Sequence, residues 1–143
     1  MSIFDDQRLF MKITGQHASE EMVGLYRSLV EEEFIELNEA FYDNDTVEMA
    51  DACIDIIYVA IGLLHAIGLN PQPLWDEVQR SNMSKFLLEA CVFCGTAGCD
   101  RCNGEGEFYK VLRREDGKIL KGPKYFPPNL RPIVERQLYG SGN

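Results

Sequence analysis

Two carboxylate clusters, Glu32-Glu33-Phe34-Ile35-Glu36 and Glu48-Met49-Ala50-Asp51 with Asp55 one turn further on, are the residues of this chain most suggestive of chemistry. On a helical wheel Glu33 and Glu36 fall inside the apolar stripe of Met22, Leu25, Tyr26, Leu29, Leu37 and Ala40. An unpaired carboxylate carried into such a face is costly, and a divalent cation held between two helices removes the cost. Glu48, Asp51 and Asp55 recur at i, i+3 and i+7, so they share one face of a second, largely apolar helix. Oxygen donors of this kind suit Mg2+ or Mn2+. Another reading of Glu48 stays open, because Asp45-x-x-Glu48 also fits a helix capping box. Glu31 and Glu39 fall on the flank or the far side of the wheel, where solvated roles are expected.

A second donor set is sulfur. Cys91-Val92-Phe93-Cys94 and Cys99-Asp100-Arg101-Cys102 form two CxxC knuckles separated by Gly95-Thr96-Ala97-Gly98. Each knuckle brings two thiolates within reach of one tetrahedral ion, and the glycines allow tight turns that leave amide groups free for sulfur. Zn2+ is the expected ion, and four cysteine ligands close the site, so its role is structural. Cys53, alone in the second helix, reads as a small buried apolar residue.

These donors need elements to position them. A first long helix is expected over Glu20 to Asp43 and a second over Val47 to Ile67, with Asp43-Asn44-Asp45 supplying the turn and the cap. A third is expected from Leu74 to about Leu88 with Pro73 in its first turn, and a short helix precedes them near Asp6 to Thr14. Beyond the knuckles, Phe108 to Arg113 and Ile119 to Leu120 flank an Asp-Gly turn and predict a β-hairpin. Asn129 to Leu138 suits a last helix before a frayed end at 139–143. The organisation read from this is an all-α helical catalytic core over 1–89, a zinc-knuckle insertion over 90–107, and a hairpin and C-terminal segment over 108–143. The helices leave more apolar surface than one hairpin can cover, so a bundle completed by oligomerisation, as a homodimer or homotetramer, is expected.

A net charge of −9 argues against a general nucleic-acid or anionic-membrane surface, although bound cations would still admit anionic substrates. The N-terminus has no basic stretch followed by an apolar core, and Ile56 to Ile67 is short for a membrane span, so a cytoplasmic protein is expected, in the host cytoplasm if phage-encoded.

The order Glu-Glu-x-x-Glu, a short gap, then Glu-x-x-Asp resembles the signature of the MazG-like nucleotide pyrophosphohydrolases, the all-α group that includes phosphoribosyl-ATP pyrophosphohydrolase and dimeric dUTPases. Trp75 to Lys85 and Arg114 to Pro128 are similar to its phage and bacterial branch. The cysteine segment departs from that branch. The resemblance implies cleavage of a nucleoside triphosphate between its α- and β-phosphates. It also implies Glu33, Glu36, Glu48 and Asp51 as principal metal ligands and Glu32 as the residue that activates water. Asp55 is an added candidate ligand. Asn82 and Lys85 match an Asn-x-x-Lys phosphate-binding pair, and Lys118 and Lys121 are further candidates for the phosphates. Similarity to the MazZ type, associated with genomes carrying 2-aminoadenine, implies dGTP or GTP as substrate. Two competing readings are a di-iron carboxylate protein, disfavoured because no Glu-x-x-His pair is present, and a zinc-knuckle adaptor whose helices only dimerise.

Overall fold

A computed structural model describes residues 1–140, which divide into two compact units, Met1–Leu74 with the segment from Arg131 onward, and Trp75–Leu130. The expected frayed end falls in part on 141–143, outside the described residues.

Capping chemistry sets the helices of the first unit. α1 (Ile3–Ile13) starts where Ser2 and Asp5 satisfy each other's amides in a capping box. α2 (Glu20–Tyr42) starts where Ser19 accepts from the Met22 amide. Asn44, in the left-handed region at φ 56°, then reverses the chain into α3 (Thr46–Ile67), which ends at Gly68 with φ 96°. α2 and α3 pack along each other as a helical hairpin and α1 lies on α3. Their shared core is Met11, Tyr26, Val59 and Ala66, backed by Met22, Val23, Leu29, Val30 and Leu63. Gly62 lets the three helices approach, since a Cβ there would collide with the Tyr26 ring and with Gln7. α5 (Arg131–Tyr139) is tied to the end of α3 by Gln137, which accepts from the Asn70 amide at 2.6 Å.

α3 is long and apolar enough to cross a bilayer, with a mean hydropathy of 1.8 over its most apolar 18-residue stretch. Core helices of soluble proteins meet the same test, and α3 carries Glu48, Asp51 and Asp55. Apolar side chains also remain uncovered on the hairpin: Phe34, Ile35, Phe41 and Tyr42 on α2, and Val47, Ile54 and Ile57 on α3. Cys53 is exposed, contrary to the buried role expected of it.

α4 (Pro71–Met83) starts three residues before the expected point and stops well short of Leu88. Asn70 Oδ1 accepts from the Gln72 amide, which makes Pro71 rather than Pro73 the residue suited to the helix start. Leu87–Ala90 is instead a strand, β1, which pairs antiparallel with β2 (Glu107–Lys110), Leu87 opposite Lys110 and Ala90 opposite Glu107. The expected hairpin around Asp-Gly is therefore only partly realised. Arg113 bridges Ile119, and Arg114 donates its amide to the Lys118 carbonyl at 2.8 Å, but the main partner of β2 lies across the knuckles. In the same unit, the strap 121–126 is fixed to the end of α4: the Gly122 amide donates to the Lys85 carbonyl at 3.1 Å and Ser81 Oγ donates to the Phe126 carbonyl at 2.9 Å.

Candidate functional site

On α2 the side turned toward α3 runs through Tyr26, Val30, Glu33, Leu37 and Ala40, the residues of that helix at helical spacing that are buried or half-buried. Glu33 thus sits in an otherwise apolar line. Its Oε2 is shut off from solvent and has no hydrogen-bond partner. Burial, then Glu36, Asp55, Glu32 and Asp51 in that order, push the Glu33 pKa up. The two carboxylates on α3 that act on it, Asp51 and Asp55, show that the two clusters face each other across the hairpin.

Glu36 corrects the sequence reading. It lies beside this line rather than in it and is exposed in the single chain, because α3 covers only one flank of α2. It nevertheless lines an acidic depression with Glu39, Asp43, Asp45 and Glu48, so Glu36 on α2 and Glu48 on α3 border the same space. The capping-box reading of Glu48 can now be decided. Asp45 accepts from the amides of Val47 and Glu48 at 3.0 and 3.1 Å, but its own amide donates to the Ala40 carbonyl. Glu48 closes no box, and its carboxylate is left for another partner. Glu31 pairs with Arg27 in solvent, as its place on the wheel predicts.

A buried carboxylate oxygen without a donor, ringed by four more acids, is a donor set that fits a hard divalent cation. Glu33, Glu36, Glu48, Asp51 and Asp55 are the residues that would hold it. Glu32 is exposed beside them.

The sulfur site is drawn together more tightly. All four thiols lie within 4.8 Å of one another, and among the described residues no other group of three or more His, Cys, Asp or Glu does so. Cys91–Cys99, Cys94–Cys102 and Cys99–Cys102 separations are 3.8, 3.7 and 3.8 Å. Four sulfurs at about 2.3 Å from a central Zn2+ stand about 3.8 Å apart, whereas a disulfide needs about 2.05 Å. The Cys99 and Gly106 amides both donate to Cys102 Sγ at 3.2 Å. The Cys99 backbone contact, ahead of that from Gly106, helps bring the Cys102 thiol down to about 6. Burial, then the neighbouring thiols, push Cys94 up to about 12. Four thiols in this space ionise together only when a cation neutralises them, so the donor set fits Zn2+. Gly106, at φ 74°, permits that packing, since a Cβ there would stand only 2.5 Å from the Thr96 carbonyl oxygen.

The cationic candidates lie in the second unit. Lys85 Nζ donates to Asn82 Oδ1 at 2.9 Å, so the Asn-x-x-Lys pair is assembled, with Lys85 just beyond the end of α4. Lys85, Lys118 and Lys121 line one groove of about 500 Å3. Arg114 lines it too, but its guanidinium is paired with Asp116. Lys121 is also held over the Tyr125 ring at 4.6 Å. Arg80 takes no part: it pairs with Glu77 and lies over Phe126.

A family model described as phosphoribosyl-ATP pyrophosphohydrolase matches residues 9–82, just over half of the chain, and spans both carboxylate clusters. No curated protein matches the chain.

Proposed function

Because the chain belongs to the phosphoribosyl-ATP pyrophosphohydrolase family, a MazG-like group, we propose that it is a divalent-cation-dependent nucleoside triphosphate pyrophosphohydrolase. It cleaves the α–β phosphate bond of dGTP or GTP, giving a monophosphate and pyrophosphate. The observation that carries this reading is the solvent-shielded, partnerless Oε2 of Glu33 amid Glu32, Glu36, Asp51 and Asp55.

Glu33, Glu36, Glu48 and Asp51 hold Mg2+ or Mn2+, with Asp55 as an additional ligand. Bound there, the cation would neutralise phosphate charge and acidify water. Glu32, exposed and next to this set, accepts the proton of the attacking water. Asn82, Lys85, Lys118 and Lys121 take phosphate oxygens, the groove of the second unit supplying positive charge to a chain of net charge −9. The guanine preference rests only on the similarity of the chain to the MazZ type among phage MazG-like proteins. Zn2+ at Cys91, Cys94, Cys99 and Cys102 is structural. The uncovered apolar residues of α2 and α3 support a homodimer or homotetramer, and thiols spaced for metal rather than disulfides support a cytoplasmic location.

The zinc-knuckle adaptor keeps one supporting observation, the exposed Val92 and Phe93, the latter under Arg101 at 3.8 Å. It gives no account of Glu33. Incubation with Mg2+ and each common NTP and dNTP decides between them. Monophosphate plus pyrophosphate from guanine nucleotides is the expected result, and no turnover with Mg2+ or Mn2+ leaves the adaptor.

A further inference from the structure

The first unit contains a second polar site that the carboxylate chemistry does not use. A cavity of about 480 Å3 opens beside the C-terminal end of α3, with Met11 and Leu69 among its apolar walls and Arg8, Lys12, His17 and His65 among its polar ones. His65 is only 9% exposed, and its Nε2 is shielded from solvent with no hydrogen-bond partner.

The other face of the ring fixes its protonation. His65 Nδ1 lies 2.7 Å from Gln7 Oε1, Gln7 Nε2 donates to the Tyr26 hydroxyl at 3.1 Å, and that hydroxyl donates to Gln16 Oε1 at 2.7 Å. Each link points the same way, so Nδ1 carries the proton and Nε2 presents a buried lone pair. Burial first, then Arg8, lower the His65 pKa against an opposing pull from Asp5, which keeps the ring neutral. Arg8 and Lys12 stand one turn apart on α1, and neither forms an ion pair among the described residues. A cavity of this size, apolar with a few convergent polar groups, is of the kind that holds small organic molecules.

We propose that this cavity is a binding site, separate from the carboxylate centre, for a phosphate monoester whose ring carries an N–H or O–H donor. Arg8 and Lys12 receive the phosphate, Met11 and Leu69 the ring, and His65 Nε2 the donor. His65 stands ten residues beyond Asp55 on α3, about 15 Å along the helix axis. The proposal does not rest on the hydrolase reading, since its test needs no turnover.

The test is titration of the full chain in EDTA with GMP, AMP and inorganic phosphate, following the imidazole 15N resonances of His65. GMP or AMP shifts the Nε2 resonance, inorganic phosphate binds more weakly, and the Arg8→Gln/Lys12→Gln variant weakens nucleotide binding by about tenfold or more. Glu36→Gln leaves the titration unchanged. Absence of any shift overturns the site, as does unchanged nucleotide affinity in the double variant. Loss of the shift in Glu36→Gln would place the nucleotide at the carboxylates instead, and phosphate binding as tightly as GMP would remove the ester from the assignment.

Discussion

At Cys91, Cys94, Cys99 and Cys102 the donor atoms stand 3.7–3.8 Å apart in three of their pairs, held by a single loop and by amides aimed at sulfur. At Glu33, Glu36, Glu48, Asp51 and Asp55 the donors come from two long helices, Glu36, Glu48 and Asp51 are exposed, and no donor hydrogen reaches the buried oxygen of Glu33. The first arrangement would enclose an ion completely. The second leaves room for a ligand to share it. Closure suits a structural role and openness a reacting one, and the same chain shows how spacing alone, CxxC within a turn or carboxylates one turn apart on facing helices, separates the two.

The largest effect expected from breaking the contrast falls on the sulfur side. Cys102→Ser removes a binding free energy on the order of 10 kcal/mol for a structural zinc. Metal analysis should then find no stoichiometric zinc, and amide exchange should show β1 and β2 losing protection while α2 and α3 keep theirs. Glu36→Gln comes next. The residue is exposed, so circular dichroism should not change, while kcat falls by about 10²–10³-fold, the scale of losing one preorganised electrostatic contact.

A smaller and more diagnostic change belongs to Glu33. Its raised pKa means that the folded chain holds a proton more tightly than the unfolded one, so this group costs stability as pH rises above the ordinary 4.5. In EDTA at neutral pH, Glu33→Gln should raise the melting temperature by about 2–4 °C. That gain should vanish below pH 4.5. Glu77 supplies the opposite sign, because Arg80 first, then the Asn129 amide, hold its pKa down at about 2. Glu77→Gln should lower the melting temperature by about 1–3 °C at neutral pH. The loss should shrink as the pH falls from 4.5 toward 2, where the native carboxylate also takes up its proton.

Local chemistry made much of this legible. The expected bounds of α2 and α3 lie within a residue of those observed, with Asp45 as the cap, and the two CxxC pairs fall at tetrahedral distances. What sequence reading missed depended on contacts distant in the chain. The sequence predicts a helix to about Leu88, whereas Leu87–Ala90 forms a strand because the knuckles bring Glu107–Lys110 beside it. The wheel found Glu33 but overstated Glu36, since a wheel shows which way a residue points and not how far the neighbouring helix reaches. Cys53 failed for the same reason. His65 could not be found at all from spacing, because its orphan nitrogen exists only once Gln7 has taken the other side of the ring.

Ala90 and Glu107 are cross-strand partners, and the Cys91 amide donates to the Gly106 carbonyl at 2.8 Å, so the four-cysteine loop leaves and rejoins the chain at the same point. Such a loop is an exchangeable cassette. Excision of 91–106 and closure by Asn-Gly would preserve the pairing on either side. The insertion could then be traded, shortened or grafted elsewhere while the carboxylate-bearing helices remain as they are, a modularity that the acidic set, divided between two helices, cannot offer.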